Sequence, residues 1–125
     1  PQGGKLPPVL DQVVYAQLRE DTGPEAITML LEVFLEEIDA RSGTILAAYE
    51  KRNLDAVAKE AHALKSSSGS FGAMRLQALA MEIEVAGRDR DADRLEAPMA
   101  TLASLITETR SAFDAAGKSR QAVAE

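Results

Sequence analysis

The sequence predicts an all-α fold, an antiparallel four-helix bundle with a short additional helix at its N-terminal end. Apolar residues recur every three or four positions in four long segments, which is the period of a helix that buries one face. Short turns rich in Gly, Pro, Asn or charged residues separate these segments. No segment of the chain alternates polar and apolar residues as a strand does. Because only 4% of the residues are aromatic, the core must be built from aliphatic side chains, which suits packed helices.

The five predicted helices, bounded by their apolar period and by turn residues, cover about residues 9–20, 24–51, 54–71, 76–86 and 95–113. Pro24 suits the first turn of the second helix, and Asn53 is a good N-cap for the third. Gly69 and Gly72 mark the end of the third helix, and Gly87 is expected to close the fourth.

At 125 residues the chain fits one domain. We expect residues 1–8, with two Gly and three Pro, to be a linker from a longer parent, residues 9–113 to form the bundle, and residues 114–125 to fray. The sequence has no Cys, no secretory leader and no apolar run of the ~20 residues that a membrane span needs. These features favour a cytoplasmic module that makes no contact with the membrane.

The net charge of −6 argues against binding to nucleic acid, because that affinity depends on neutralising phosphates with Lys and Arg. Residues 51–75 nevertheless carry five basic and two acidic side chains, and they form the one net positive segment. This local charge suits a phosphoryl group or an acidic partner, and it is equally compatible with a solvated helix face.

The one histidine, His62, lies in the third helix, in a stretch of small residues. Each residue of a helix advances by about 100°, so the centre of the apolar stripe lies roughly 125° from His62 and the imidazole is expected outside the core. Ala58 and Gly69 flank the ring on the same side of the helix, and Lys65 stands three residues after it. The lysine could stabilise negative charge on a modified imidazole, or it could be an ordinary surface lysine.

The segment from Ser66 to Gly69 is unfavourable for a helix, since glycine costs about 1 kcal/mol relative to alanine and serine is also a weak helix former. Access to the imidazole is one explanation, because small residues let another protein or a phosphoryl donor approach closely. The end of the helix at Gly69 or Gly72 is the simpler explanation.

These residues resemble the histidine-containing phosphotransfer domains of bacterial two-component phosphorelays, as found at the C-terminal end of some hybrid sensor kinases. The similarity lies in Ala61-His62-Ala63-Leu64-Lys65, in the small residues through Gly69, and in Phe71-Gly72-Ala73. It extends over about residues 24–110, although only residues 58–73 are distinctive. The family is a helical bundle that carries this motif on a central helix.

The resemblance implies that His62 is the phosphoacceptor and that Lys65 is the nearby positive group. Gly69 would keep the docking surface open, and Ser66 is a mild departure from the glycine that often follows the lysine. The family usually places a polar side chain from the next helix near the histidine. Two residues could take that place here, Glu84 and, as the weaker candidate, Gln77.

The activity implied by the resemblance is that of a phosphorelay intermediate. An aspartyl phosphate on a receiver domain would pass its phosphoryl group to His62, which would pass it to a second receiver. The domain would be a monomeric phosphocarrier without an ATP site, cofactor or metal of its own, and the receiver would hold Mg²⁺. The histidine-bearing domain of a chemotaxis-type kinase, phosphorylated by a kinase domain, shares the motif and is an alternative.

Three other interpretations compete with these two. Asp55, His62 and Ser66 lie within about 40° on the helical wheel, but a convex helix face offers no pocket for a hydrolase. A carboxylate-bridged metal bundle needs more than one histidine, so Glu32, Glu36, Glu82 and Glu84 are expected to be surface charges in that comparison. A helical interaction module with an unmodified His62 is the remaining alternative, and its apolar stripes are required by the core in any case.

Overall fold

A computed structural model describes the backbone of residues 6–124 and the side chains of residues 6–117. The described residues form helices and no strand, which confirms the all-α prediction. The five helices are α1 (Gln12–Thr22), α2 (Pro24–Glu50), α3 (Leu54–Phe71), α4 (Met74–Arg88) and α5 (Ala92–Ala124). None of the described helices is both long enough and apolar enough to cross a membrane.

Local sequence sets the ends of the helices. The Asp11 carboxylate accepts hydrogen bonds from two backbone N–H groups in the first turn of α1, and the Asn53 side chain accepts one from the backbone of Ala56 at 3.2 Å. At the end of α3, Gly72 has a φ of 86°, in the left-handed region that favours glycine. Gly72 is therefore the residue that ends α3, and Gly69 lies within the helix.

Helices α2 to α5 form the bundle. Helix α3 packs against α2 on one side and against α4 on the other, α4 and α2 both pack against α5, and α1 contacts α2 and α3. Phe34 stacks on Phe71 with 4.3 Å between ring centroids, and Phe113 meets both rings edge-on. Because α3 is held between two neighbours, its remaining face is presented to solvent.

The Arg41 side chain, which interrupts the apolar stripe of α2, joins a polar network between α2 and α3. Its guanidinium donates to Glu37 at 2.8 Å and to Glu60 at 2.9 Å, and the Ser67 hydroxyl donates to Glu37 at 2.7 Å. Burial alone would raise the pKa of Glu37, but the hydrogen bonds from Ser67 and Arg41 bring it below its ordinary value. The interruption is tolerated because the charge has partners in both helices.

Gly87 lies inside α4 and does not end it, contrary to the expectation from the sequence. A Cβ atom at this position would lie 3.1 Å from the Cβ and the backbone N of Ala58, and 3.2 Å from the carbonyl oxygen of Leu54. The glycine therefore accommodates the close approach of α3 and α4. Helix α4 ends one residue later, at Arg88.

The segment before α1, here called the N-terminal strap (residues 6–10), is fastened to the start of α4. The backbone N–H of Arg75 donates to the carbonyl oxygen of Pro8 at 2.9 Å, and the Arg75 guanidinium donates to the carbonyl oxygen of Pro7 at 2.8 Å.

The predicted linker falls mainly on residues 1–5, which lie outside the described residues. At the other end α5 continues beyond Phe113 to Ala124, into the segment for which the sequence predicts fraying. The limits predicted for the linker, the bundle and the C-terminal tail stay predictions.

Candidate functional site

His62 lies on the solvent-facing side of α3, and 55% of its side chain is exposed. Its neighbours Ala61 and Leu64 point inward and are fully buried. The buried stripe therefore anchors the helix while the imidazole projects from it, as the helical wheel predicts.

The partner of the imidazole is a buried carboxylate on α4. Glu84 is 2% exposed, and its Oε2 atom lies 2.9 Å from Nδ1 of His62. The Lys65 ammonium contacts Oε1 at 2.7 Å, and the Arg88 guanidinium contacts Oε2 at 2.6 Å. One carboxylate thus gathers three nitrogen donors, two from α3 and one from its own helix.

Glu84 is held in its ionised form. Burial desolvates the carboxylate and alone would raise its pKa, but hydrogen bonds from Lys65 and His62 and the charges of Lys65 and Arg88 bring the pKa below its ordinary value. An ionised carboxylate has no proton to donate, so Nδ1 of His62 is the ring nitrogen that carries hydrogen. In a neutral imidazole Nε2 then keeps its lone pair.

The close packing of α3 and α4 brings these groups together. Gly87 lets the backbone of α4 approach Ala58, one turn before His62, so the side chains of Glu84 and Arg88 reach α3. Long side chains would otherwise have to span a wider gap between the helices, at a larger cost in conformational entropy.

Glu84, and not Gln77, is the α4 side chain in contact with His62. Gln77 instead lies against Gly69, where an added Cβ would overlap its amide nitrogen. The missing side chain at Gly69 therefore makes room for Gln77. Ser66 is exposed on the solvent-facing side of α3 beside His62.

Lys65 lies where the helical spacing places it, one turn from His62, but its ammonium is engaged. Only 23% of its side chain is exposed, and it is paired with Glu84. Arg88 completes this group and was not among the residues singled out from the sequence. The signal that could have found it is the spacing of Glu84 and Arg88, because residues four apart on a helix lie on one face.

An open depression of about 420 Å³, here called the basic depression, lies beside His62. It is lined by Asp55, Ala58, Lys59, His62, Arg88 and Arg90. Asp55 is paired with Arg90, at 2.9 and 3.1 Å, and not with His62. The geometry of a hydrolase triad is therefore not formed.

The side chains considered for a metal bundle are dispersed. Glu32, Glu36 and Glu82 are exposed as expected. The expectation that Glu84 is a surface charge is wrong, because its carboxylate is buried against its cationic partners. Among the described side chains, no three His, Asp or Glu residues converge as metal ligands would.

A helical bundle that presents one exposed histidine, with an ionised carboxylate holding its inner nitrogen and cations around it, has the architecture of a phosphotransfer domain. The chain belongs to the Hpt domain family, which matches residues 29–112. The matched segment includes all of α3 and α4, and with them His62, Lys65, Glu84 and Arg88.

Curated relatives agree with this assignment. The chain is 36% identical over 84 residues to phosphorelay protein LuxU of Vibrio vulnificus, a match that covers 67% of this chain and 73% of that protein. It is 30% identical over 105 residues to LuxU of Vibrio harveyi, covering 84% and 92% of the two chains. LuxU of Vibrio cholerae is 26% identical over 96 residues, which are 77% and 85% of the two chains. No solved structure matches the chain significantly.

Proposed function

We propose that His62 is the phosphoacceptor of a phosphorelay intermediate, which takes a phosphoryl group from one receiver domain and passes it to another. The main support for this role is the 2.9 Å contact between Nδ1 of His62 and the buried Glu84 carboxylate, together with the 55% exposure of the His62 side chain. This contact leaves Nε2 as the outer, nucleophilic nitrogen. As an Hpt domain the chain is a phosphocarrier and not a catalytic kinase domain, and its partners are receiver domains.

The transfer requires no proton to move. The Nε2 lone pair attacks the phosphorus atom of the aspartyl phosphate, the N–P bond forms, and the P–O bond to the aspartyl carboxylate breaks. The carboxylate leaves with the bonding electron pair, and the imidazole ring, which keeps its Nδ1 proton, becomes cationic. The reverse sequence at a second receiver returns the ring to its neutral form.

Glu84 is placed to stabilise the cationic ring. Its ionised oxygen accepts the Nδ1 hydrogen bond, which strengthens as positive charge develops on the imidazole. Lys65 and Arg88 keep this carboxylate ionised, and together they carry one positive charge more than Glu84 neutralises. That excess charge is available to the incoming phosphoryl oxygens.

The receiver supplies the activated phosphate and the Mg²⁺ ion, and this chain needs no ATP site or cofactor. It acts as a monomer in the cytoplasm, without contact to the membrane. The net charge of −6 supports a function without nucleic acid. The relatives named above carry the description of phosphorelay proteins, which supports the same role here.

The experiment that tests this function is phosphoryl transfer from a receiver domain charged with acetyl phosphate in the presence of Mg²⁺. The wild-type chain should acquire an acid-labile, base-stable phosphate, and His62→Gln should acquire none while its circular dichroism stays helical. Lys65→Ala should be labelled more slowly, since it removes one of the two cations that flank the carboxylate of Glu84 beside His62.

Labelling of the His62→Gln chain would assign the acceptor role to another residue and contradict the proposal. Labelling by a histidine-kinase catalytic domain with ATP, and not by any charged receiver, would instead identify the substrate domain of a chemotaxis-type kinase. Lys51→Ala is the matched control, because Lys51 is exposed at the far end of α2 and should leave the rate unchanged.

A further inference from the structure

His62 lines the basic depression, and Lys65 does not. The basic depression lies toward the end of α4, and the cations that share it with His62 are Lys59, Arg88 and Arg90. Lys65 instead lines a second depression of about 490 Å³ toward the beginning of α4, here called the apolar depression, which is walled by the N-terminal strap and by apolar side chains of α4. The cations around the open side of the imidazole are therefore not the lysine that follows it on α3.

The outer nitrogen of His62 is directed toward the basic depression. Nδ1 is turned toward the buried Glu84 carboxylate at 2.9 Å, which leaves Nε2 on the exposed side of the ring. Side chains of a helix lean toward its N-terminal end, so the imidazole leans toward Lys59, which lies one turn before it. A group bound to Nε2 therefore enters the depression that His62 and Lys59 line together.

The cations of the basic depression differ in how firmly they are engaged. Arg88 is held by the buried Glu84 at 2.6 Å. Arg90 is paired with Asp55 at 2.9 and 3.1 Å, but the two side chains are 68% and 74% exposed, so water screens the pair. Lys59 is exposed, and no ion pair joins it to another described side chain. Lys59 and Arg90 are thus the two cations available to bind a new anion.

The backbone places Arg90 at a position where helices usually carry glycine. The N–H of Arg90 donates to the carbonyl oxygen of Gly87 at 3.1 Å, and the N–H of Asp91 donates to the carbonyl oxygen of Ala86 at 3.0 Å, a pattern that ends many helices at a left-handed residue. Arg90 has a φ of 55°, in the left-handed region that most side chains disfavour. An arginine kept in this strained conformation beside a reactive group indicates a function of its side chain.

We propose that the basic depression is the binding site for the phosphoryl group that His62 carries, an inference that rests on the proposed function. Arg90 exchanges its hydrogen bonds to Asp55 for bonds to the phosphoryl oxygens, and the Lys59 ammonium contacts the same oxygens from the preceding turn of α3. No covalent bond changes in this exchange, and the released Asp55 carboxylate turns to solvent. Because both cations favour the phosphorylated chain over the free one, the site raises the share of phosphate that stays on His62 at equilibrium.

The test measures how phosphate divides between a receiver and this chain at equilibrium. Each variant is mixed with a receiver whose aspartyl phosphate outlasts the measurement, at concentrations where the complex is scarce. The phosphorylated and free forms of both proteins are then quantified on phosphate-affinity gels. This ratio reports the relative free energies of the separated proteins, so a change in docking would alter the rate of approach and leave the ratio unchanged.

Arg90→Gln should lower the equilibrium ratio of phosphorylated to free chain about two- to fivefold, the range of a screened ionic contact, and Lys59→Gln should do the same. Asp55→Asn should raise the ratio by a similar factor, because Arg90 is then released and the one acidic side chain lining the depression is gone. Arg90→Gly should match Arg90→Gln while relieving the strained backbone. The matched control is Arg94→Gln, because Arg94 is exposed, pairs with Asp89 at 3.0 Å beside the same turn and does not line the depression.

A merely structural role of the Asp55–Arg90 pair would make both substitutions act alike, whereas the proposed site requires opposite effects. An unchanged ratio for Arg90→Gln and Arg90→Gly, a lowered ratio for Asp55→Asn, or an equal loss for Arg94→Gln would contradict the phosphoryl site and leave His62 as the acceptor. Failure of a charged receiver to label the wild-type chain would overturn the proposed function and this inference with it.

Discussion

A histidine exposed on a helix offers two ring nitrogens to solvent, and either can carry the proton of the neutral form. In this chain Glu84 removes that ambiguity, because an ionised carboxylate accepts the hydrogen bond from Nδ1 and leaves Nε2 with its lone pair. The arrangement also explains why Lys65 and Arg88 are both present, since a buried carboxylate without cationic partners would be costly to ionise. The reactivity of one residue thus depends on the charge state of another.

The lowered pKa of Glu84 predicts how stability depends on pH. In the unfolded chain the pKa of Glu84 is near 4.5, and in the folded chain it is lower. The ionised Glu84 carboxylate therefore stabilises the fold fully above about pH 4.5. This stabilisation should be lost as pH falls from there through the pKa of the folded state. Urea unfolding at several pH values between roughly 3 and 7 measures the effect.

Glu84→Gln should reduce the slope with which the unfolding free energy falls as pH decreases, because the titrating carboxyl is gone. Part of the slope should remain, since Glu37 also has a lowered pKa. Glu82→Gln, on the same helix but exposed, is the matched control and should keep the wild-type slope. An unchanged slope for Glu84→Gln would mean that Glu84 is not ionised more readily in the folded chain than in the unfolded one.

The sequence indicated some of these residues and missed others for physical reasons. His62 and Lys65 could be placed together because both lie on one helix, whose period fixes their separation. Glu84 was one of two candidates, because contacts between helices depend on how α4 is rotated and shifted along α3. Arg88 was missed, since its role appears only when the carboxylate beside it is known to be buried.

Helices α3 and α4 form the functional unit of the molecule, and their separation decides whether the site is assembled. Gly87 permits this separation, because an added Cβ there would lie 3.1 Å from the backbone N of Ala58 and 3.2 Å from the carbonyl oxygen of Leu54. The sequence alone suggested that Gly87 ends α4, since a glycine before charged turn residues usually does so. Its actual role depends on a partner helix and could not be predicted from the pattern of α4.

Gly87→Ala should destabilise the chain by about 1–3 kcal/mol, because the new methyl group meets the Ala58 backbone at a distance that packed atoms avoid. Gly43→Ala is the matched control in α2, where an added Cβ has no atom within 4 Å. It should stabilise the helix by up to about 1 kcal/mol. Urea unfolding measures both, and a stabilised Gly87→Ala chain would contradict the close approach of α3 and α4.

The whole molecule is a scaffold that holds the cluster of His62, Lys65, Glu84 and Arg88 at the surface of α3 and α4. The arrangement of five helices could be predicted because each amphipathic stripe must be buried, and short turns leave few ways to bury them. The apolar and basic depressions could not be predicted, since they combine the N-terminal strap, α3 and α4 in positions that only packing determines. An acidic protein thus gains a basic surface beside its one histidine.

The most direct test of the account is the identity of the nitrogen that bears phosphate. With a single histidine in the chain, ³¹P–¹⁵N correlation spectra of the phosphorylated, ¹⁵N-labelled protein report on one ring alone. We predict a direct coupling between phosphorus and Nε2, with a proton retained on Nδ1. A coupling to Nδ1, or an imidazole that carries no phosphorus after labelling by a charged receiver, would contradict the central role given to His62 and Glu84.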